Sequence, residues 1–166
     1  MTIETHLILV SAQPIPNLTP VLDESLRPKN VIMLVSPDMQ ERSQYLENIF
    51  KGQYGIHVEK HDIKDPWDLD SISLLLMGIV EKYTAGSIAL NATGGTKLMA
   101  LAAFDVFEEY QHAIFYVHPE HDRLIWLKPR KESIDLADKL KIKNYLMAYG
   151  AKEISCERVG VESDLQ

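Results

Sequence analysis

The chain is poor in cysteine and in long apolar segments. Its one cysteine, Cys156, excludes a disulfide framework and a cysteine metal cluster within a single chain. Its close pair of histidines, His118 and His121, has no third ligand at a suitable spacing, so we expect no metal site and interpret both as loop residues. No apolar run approaches the roughly 20 residues of a membrane-spanning helix, and the first five residues lack the basic start of a signal peptide. We therefore expect a cytoplasmic protein with no membrane contact.

Basic residues are outnumbered by acidic ones. Lysine and arginine total 17 against 24 aspartates and glutamates, and the formal net charge is -7. A protein that binds nucleic acid without specificity normally has a basic face and a high isoelectric point. We therefore expect no direct binding of DNA or RNA by this domain. An anionic ligand is still compatible with this composition, because backbone amides and a few cations can attract it locally.

The hydrophobic pattern predicts an α/β fold. The length of 166 residues and the hydrophobic fraction of 46% are those of a single domain with a core. Nearly continuous apolar runs predict buried strands, and an alternating run predicts an outer strand. The strands are predicted at 6–11, 31–35, 56–62, 87–90 and 113–118. Helices are predicted at 18–26, 38–51, 65–83 and 97–110, and the acidic start of the third, 65–68, is interpreted as an N-cap rather than a metal site.

A polar turn of four residues after the fifth strand predicts a hairpin, so a sixth strand at 123–127 should be antiparallel to the fifth. The whole is an open, doubly wound, mostly parallel sheet of about six strands, with helices on both faces and the order 3-2-1-4-5-6. In such sheets the ligand binds at the carboxyl edge, where the carboxyl ends of the parallel strands lie, at the point where the strand order reverses. Here that point lies between strands one and four. After residue 127 the chain is more charged, with a weak helical pattern at 134–140.

One stretch, Asn-Ala-Thr-Gly-Gly-Thr-Lys at 91–97, joins the fourth strand to the fourth helix; we call it the glycine loop. A strand, tight loop and helix in this order place free N–H groups and the positive end of a helix dipole at the carboxyl edge, where an anion can bind. Gly94 and Gly95 permit close approach of a ligand, and two threonine hydroxyls and one lysine add donors. Neither common phosphate-binding glycine motif occurs in it. A Gly-Gly turn with Thr96 as N-cap is the structural alternative.

A second loop, Ser-Ala-Gln-Pro-Ile-Pro-Asn at 11–17, follows the first strand; we call it the first-strand loop. Its small and amide side chains suit a ligand edge, although an ordinary strand-to-helix connection explains them equally well. Because the two loops follow strands one and four, we expect them to lie side by side at the carboxyl edge. At the end of strand two, Ser36 and Pro37 occupy the place of the acidic residue that holds a ribose in dinucleotide-binding domains. This departure weakens the hypothesis of a generic mononucleotide-binding domain.

The two loops also carry a family resemblance. Asn91 at a strand end followed by Thr-Gly-Gly-Thr-Lys resembles the signature loop of CARF domains, the CRISPR-associated Rossmann-fold sensors of cyclic oligoadenylate. The resemblance is strongest to the CARF domain at the amino end of ancillary nucleases with a PD-(D/E)xK effector domain. The first-strand loop is similar to the loop that lines the ring-binding face in the same group. The likeness extends from residue 5 to about 151 and includes a connector-like stretch at 140–150.

This resemblance implies a Rossmann-like CARF domain at 1–127, followed at 128–166 by a linker helix and tail without an effector domain. It implies the sensor of a type III CRISPR effector, which relays ligand binding to an effector domain and needs no cofactor. The expected ligand is cyclic tetra-adenylate or, next, cyclic hexa-adenylate. Such a ring is too large for one pair of loops, so a two-fold homodimer should bind it, with Met99 as a candidate interface residue or, equally, a core residue.

Two other functions stay open. A slow ring nuclease needs no carboxylate or metal, because Lys97 or Thr93 could stabilise the transition state for attack by a ribose hydroxyl. The other function is that of an α/β domain with an inert loop, which binds either a mononucleotide or another protein. For the sensor, no residue is assigned a catalytic role. The residues that we expect to bind the ligand are Ser11, Gln13, Pro14, Ile15, Asn17, Ser36, Asn91, Thr93, Gly94, Gly95, Thr96 and Lys97.

Overall fold

The computed structural model describes residues 2–152, so Met1 and the tail at 153–166, which includes Cys156, lie outside the described residues. The strands are β1 Thr5–Leu9, β2 Asn30–Val35, β3 His57–Asp62, β4 Ile88–Asn91, β5 Ala113–His118, β6 Arg123–Lys128 and β7 Ile134–Asp135. The helices are α1 Ile15–Leu22, α2 Gln40–Tyr54, α3 Leu69–Val80, α4 Lys97–Glu109 and α5 Ile142–Ala148, and a 3-10 turn, Pro37–Met39, precedes α2.

The strands form one sheet in the order β3-β2-β1-β4-β5-β6-β7. The first five strands are parallel to one another, β6 is antiparallel to β5, and β7 is antiparallel to β6. The predicted α/β, Rossmann-like fold and its strand order are therefore confirmed. Strand order reverses between β1 and β4, where Ile8 is paired with Asn91. The carboxyl ends of β1 and β4 consequently lie next to each other.

Apolar residues of β1 and β2 are buried on both faces of the sheet because helices cover both. Leu7 and Leu9 of β1 pack in a cluster with α3 and α4. Ile8 and Val10 pack in a second cluster with α1, α2 and α5. The outer strand β3 is half-exposed, with Val58 buried and its neighbours exposed, as its alternating sequence predicts.

Three helical predictions need correction. The helix predicted at 65–83 is α3, Leu69–Val80, because Asp68 is the residue whose side chain accepts the capping hydrogen bond, so Pro66 lies before the helix. The helix predicted at 18–26 is α1, Ile15–Leu22, which begins earlier because Pro16 fits a first helical turn, where a missing N–H costs nothing. The segment predicted as a weak helix at 134–140 begins instead as β7, in which Ile134 is paired with Leu124 of β6. Leu136 is fully buried against this end of the sheet, and the Asp135 carboxylate accepts a hydrogen bond from the Ala137 amide at 3.0 Å, which turns the chain away. Burial of alternate residues thus prevails over a weak helical pattern.

The helix of the connector-like stretch is α5, which packs against α2. Ala148 is buried in the cluster of α1 and α2, and the Asn144 amide donates a hydrogen bond to the Tyr54 hydroxyl at 3.3 Å. The division of the chain at residue 127 stays a prediction. Among residues 2–152, no helix has the length and apolar character to cross a membrane. The same residues contain no group of three or more histidine, cysteine or carboxylate side chains that could hold a metal ion.

Candidate ligand site

The first-strand loop and the glycine loop lie side by side at the carboxyl edge, joined by two buried hydrogen bonds. The Asn17 amide donates to the Thr93 carbonyl oxygen at 3.3 Å. The Asn91 amide donates to the Pro16 carbonyl oxygen at 2.9 Å. Because an unpaired buried amide or carbonyl is costly, these two bonds fix the loops relative to each other. The two stretches singled out in the sequence therefore form one surface.

Asn91 and Thr93 give the glycine loop its shape. The Asn91 side-chain oxygen accepts a hydrogen bond from the Thr93 amide at 3.1 Å, and the Thr93 hydroxyl accepts one from the Val117 amide at 2.7 Å. Asn91 is 1% exposed and Thr93 is 7% exposed. Both side chains therefore form hydrogen bonds within the protein, and they affect ligand binding indirectly, by fixing the position of the glycine loop.

Gly94 and Gly95 are required by the packing of the loop itself. Both have positive φ, 104° and 65°, in the region that favours glycine. A Cβ at Gly94 would lie 2.5 Å from the Leu9 carbonyl oxygen, and one at Gly95 would lie 3.1 Å from the Leu9 Cβ. The glycine pair thus lets the loop lie directly on the end of β1, which brings its amides to the carboxyl edge.

Thr96 is the N-cap of α4, as the structural alternative predicted. Its hydroxyl oxygen accepts a hydrogen bond from the Met99 amide at 3.2 Å and donates one to the Pro66 carbonyl oxygen at 2.9 Å. The cap and an anion site are compatible, because the other N–H groups of a first helical turn have no intrahelical acceptor. Lys97 follows it, exposed and without an ion pair inside residues 2–152. Its amine can therefore reach a ligand above the loop.

A cavity of about 200 Å³, the edge cavity, opens beside the glycine loop. It brings together the segments that follow β1, β2, β3 and β4. Four of the predicted binding residues line it: Ser11, Ser36, Gly95 and Thr96. Asp38, Met39, Pro66 and Trp67 also line it and were not predicted as site residues. The sequence could have indicated these residues only by their position, because they follow strands two and three and therefore lie at the same edge of the sheet. The interpretation of 65–68 as an N-cap assigned no role to the tryptophan.

Other predicted binding residues lie around the cavity rather than in its lining. Gln13 is exposed, and its carbonyl oxygen accepts a hydrogen bond from the Ser11 hydroxyl at 3.0 Å. Pro14 is buried, and its carbonyl oxygen accepts the amide hydrogen bonds that begin α1. Ile15 packs against the core of the α1 face. Gln13 is thus free to reach a ligand, whereas Pro14 and Ile15 shape the loop.

A larger cavity of about 350 Å³ lies alongside, between the end of β3 and α3. Three carboxylates and one lysine amine line it, from Asp62, Asp65, Asp68 and Lys64. Hydrogen bonds from the Ser71 hydroxyl and amide lower the pKa of Asp68, so it stays ionised at neutral pH. This charge disfavours a polyanion, and size alone therefore does not make the larger cavity the ligand site.

The comparison with protein families found a match to the Card1 CARF domain over residues 5–145. A solved structure of Can2 from Sulfobacillus thermosulfidooxidans, in complex with cyclic tetra-adenylate (cA4), is 33% identical and superposes with a TM-score of 0.78. Protein VC1899 from Vibrio cholerae is 23% identical with a TM-score of 0.79. A type III CRISPR defence DNA nuclease activated by cyclic oligoadenylate is 24% identical with a TM-score of 0.73. The last two likenesses show the fold alone.

The matched structures are longer than this chain. The Can2 alignment covers 88% of this chain and 41% of Can2, and the VC1899 alignment covers 88% and 39%. For the type III nuclease the shares are 89% and 23%. The comparison with curated proteins found no match. The similarity therefore concerns one domain of larger proteins.

Proposed function

The chain belongs to the family of the Card1 CARF domain, and from this we propose that it is a sensor domain that binds cyclic oligoadenylate, with cyclic tetra-adenylate preferred over cyclic hexa-adenylate. The observation that carries the proposal is the joining of the first-strand loop to the glycine loop at the strand-order reversal, through Asn17, Thr93, Asn91 and Pro16. Can2, which is 33% identical, was solved with this tetra-adenylate ring. That likeness supports the choice of ligand.

Attraction for the phosphates comes from the backbone and from one exposed cation. Gly94 and Gly95 let the glycine loop lie on the end of β1, which keeps its amides at the carboxyl edge, and the first turn of α4 adds N–H groups and the positive end of its dipole. The amine of Lys97 supplies a charge-assisted hydrogen bond. These local donors explain how a chain of formal charge -7 binds a polyanion.

A homodimer completes the site in this proposal. The edge cavity of about 200 Å³ is smaller than the roughly 300 to 1,000 Å³ of typical pockets for small ligands, so it holds only part of a ring of four nucleotides. Two copies related by a two-fold axis present two glycine loops, which matches the symmetry of the ring. Met99 is fully buried and belongs to the core. Leu101, which is 59% exposed and one turn from Lys97 on α4, is the interface candidate instead.

Binding is relayed, we propose, through residues 128–166, with residues 1–127 as the binding domain. The support is the greater length of the matched structures and the packing of α5 on α2. Because α2 follows the Ser36 end of β2, a change at the edge cavity has a direct path through α2 to α5. This path consists of packed helices in one core cluster.

Slow cleavage of the ring is the second candidate. The exposed amine of Lys97 beside the glycine loop favours it, because such a group can stabilise charge on a phosphate in the transition state. The Thr93 hydroxyl is less suitable, since it is buried and bonded to Val117. Cleavage would use the same site as binding, and product analysis separates the two functions.

The test is titration of the purified chain with labelled cyclic tri-, tetra- and hexa-adenylate, followed by separation of the products. We expect tetra-adenylate to bind most tightly, with one ring for two chains and the ring recovered intact. A ring that is recovered as linear product establishes the second candidate. Absence of binding by all three rings contradicts the proposal.

A further inference from the structure

Trp67 is an exposed tryptophan on the wall of the edge cavity. Its side chain is 66% exposed, whereas Trp126, the only other tryptophan of the chain, is 7% exposed and packs against Phe115. Exposing so large an apolar ring to water is unfavourable, and an indole left uncovered beside a cavity is typical of a binding surface.

The backbone that carries Trp67 is held in place although the indole is not covered. The Trp67 amide donates a hydrogen bond to the Asp65 carboxylate at 2.9 Å. The neighbouring Pro66 carbonyl oxygen accepts the hydrogen bond from Thr96 described above, which ties this segment to the glycine loop. Asp68 then caps α3 by accepting from the Ser71 amide at 3.1 Å. The backbone of Trp67 is therefore fixed relative to the glycine loop, so only the two side-chain torsions of the indole have to be ordered when it contacts a ligand.

The chemistry of the edge cavity differs between its two sides. Gly95 and Thr96, at the start of α4, provide the side that attracts an anion. Trp67 and Met39 provide an apolar side, and the Asp38 carboxylate there repels phosphate. An adenine base suits that side, because it has an apolar face for stacking and an amino group that can donate to a carboxylate.

We propose that Trp67 stacks on an adenine base of the bound ring, while the glycine loop holds the adjacent phosphate. This inference rests on the proposed function and adds to it the residue that binds the base. Stacking of a base on an aromatic side chain strengthens binding by about fivefold to 150-fold per base. Trp67 is therefore a binding residue in its own right, beyond its place next to the α3 N-cap.

The two tryptophans allow a direct optical test. In the unmodified chain, cyclic tetra-adenylate should change the emission of Trp67, because the indole passes from water to a base stack. In Trp67→Phe only the buried Trp126 remains, and the ligand-dependent change should disappear while binding is largely retained by the smaller aromatic ring. Trp67→Ala should weaken binding by at least about fivefold in isothermal titration, with an unchanged melting temperature.

Leu69→Ala is the matched control. Leu69 is 44% exposed on the same segment, and neither the edge cavity nor the larger cavity includes it in its lining. Removal of the Leu69 side chain should leave unaltered both the affinity for cyclic tetra-adenylate and the change in Trp67 emission that the ligand causes. Wild-type affinity in Trp67→Ala, or an equal loss in Trp67→Ala and Leu69→Ala, overturns the stacking inference and leaves the proposed function in place. Failure of the unmodified chain to bind any cyclic adenylate overturns both.

Discussion

The side-chain amide of Asn91 donates a buried hydrogen bond to the carbonyl oxygen of Pro16, 75 residues earlier in the chain, at 2.9 Å. The oxygen of the same amide accepts from the Thr93 backbone. One asparagine thus holds the first-strand loop with one atom and the glycine loop with the other. An isosteric carboxylate cannot do both, because it lacks the donor that Pro16 needs.

Asn91→Ala should lower the free energy of unfolding by about 2 to 3 kcal/mol, because it leaves the Pro16 carbonyl and the Thr93 amide buried without partners. Ring binding should fall as well, since the two loops lose their fixed spacing. Urea unfolding and isothermal titration measure the two effects. Asn48→Ala, which removes an exposed amide bonded to Gln44, should change stability by less than about 0.5 kcal/mol. A stability loss no larger than that of the control would contradict the structural role of Asn91.

The strand order and the two loops could be predicted from the sequence because each depends on local pattern. Buried parallel strands have continuous apolar runs, and the reversal between strands one and four places residues 11–17 beside 91–97 once the order is known. Asn91 was found as a strand-end residue. Its buried bond to Pro16 was not, because that bond depends on the three-dimensional spacing of two distant loops.

Three features needed the structure for identifiable reasons. The helix α4 is apolar on most sides, so sequence could not decide that Met99 faces the core and Leu101 faces solvent. The edge cavity is made by four segments that only the fold brings together, so Trp67 could not be recognised as part of it. The strand β7 has two residues, too few for a periodic signal.

Lys97→Ala should weaken binding of cyclic tetra-adenylate by about 1.5 to 3 kcal/mol per site, because a charge-assisted hydrogen bond to a phosphate is lost. The melting temperature should not change, since Lys97 is exposed. Lys82→Ala is the control, because Lys82 is an exposed lysine just after the end of α3, at the opposite edge of the sheet. Isothermal titration of both variants against the unmodified chain gives the comparison. Equal affinities for all three proteins would show that Lys97 does not contact the ring.

Glycine substitutions should have opposite effects at two places. Gly94→Ala should destabilise the fold by at least about 2 kcal/mol, because its φ is 104° and the new Cβ would meet the Leu9 carbonyl oxygen. Gly52→Ala, inside α2 with no atom within 4 Å of the new Cβ, should stabilise it by about 0.5 to 1 kcal/mol. Gly95→Val should fold less stably and also weaken ring binding, because its φ is 65° and the new side chain would press on Leu9 and Met99 and displace the loop. Urea unfolding of the three variants is the measurement, and normal stability of Gly94→Ala would show that the loop does not lie against β1.

Leu101→Glu should convert the proposed dimer to a monomer, because it places a charge on the exposed face of α4 that carries Lys97. Sedimentation at tens of micromolar, with and without cyclic tetra-adenylate, shows the change. Leu146→Glu is the control, since Leu146 is 40% exposed on α5, on the other face of the sheet. A monomeric unmodified chain in both conditions, or a dimeric Leu101→Glu, would contradict this interface.

Stability should fall as the pH is lowered through the range in which His6 titrates. Burial lowers the pKa of His6 from 6.5 to about 4, and its ring packs edge-on against Phe115 with 5.3 Å between centroids. Between these two values the unfolded chain binds a proton that the folded chain excludes. The contribution of His6 is therefore complete above pH 6.5 and decreases by about 3 kcal/mol as the pH falls to about 4. Urea unfolding at several pH values measures it.

His6→Leu isolates this effect from other titrating groups. Burial also lowers the pKa of His112, so the unmodified chain has a second contribution of the same sign. The lowered pKa values of Asp23 and Glu47 also make the stability depend on pH, mainly near and below pH 4. These contributions are shared by the variant, so they cancel in the difference between the two proteins. The free energy of unfolding of His6→Leu, minus that of the unmodified chain, should rise by about 3 kcal/mol from pH 7.5 to pH 4, because a leucine buried beside Phe115 stays uncharged. A difference that is constant over this range would mean that His6 is protonated in the fold as readily as in water.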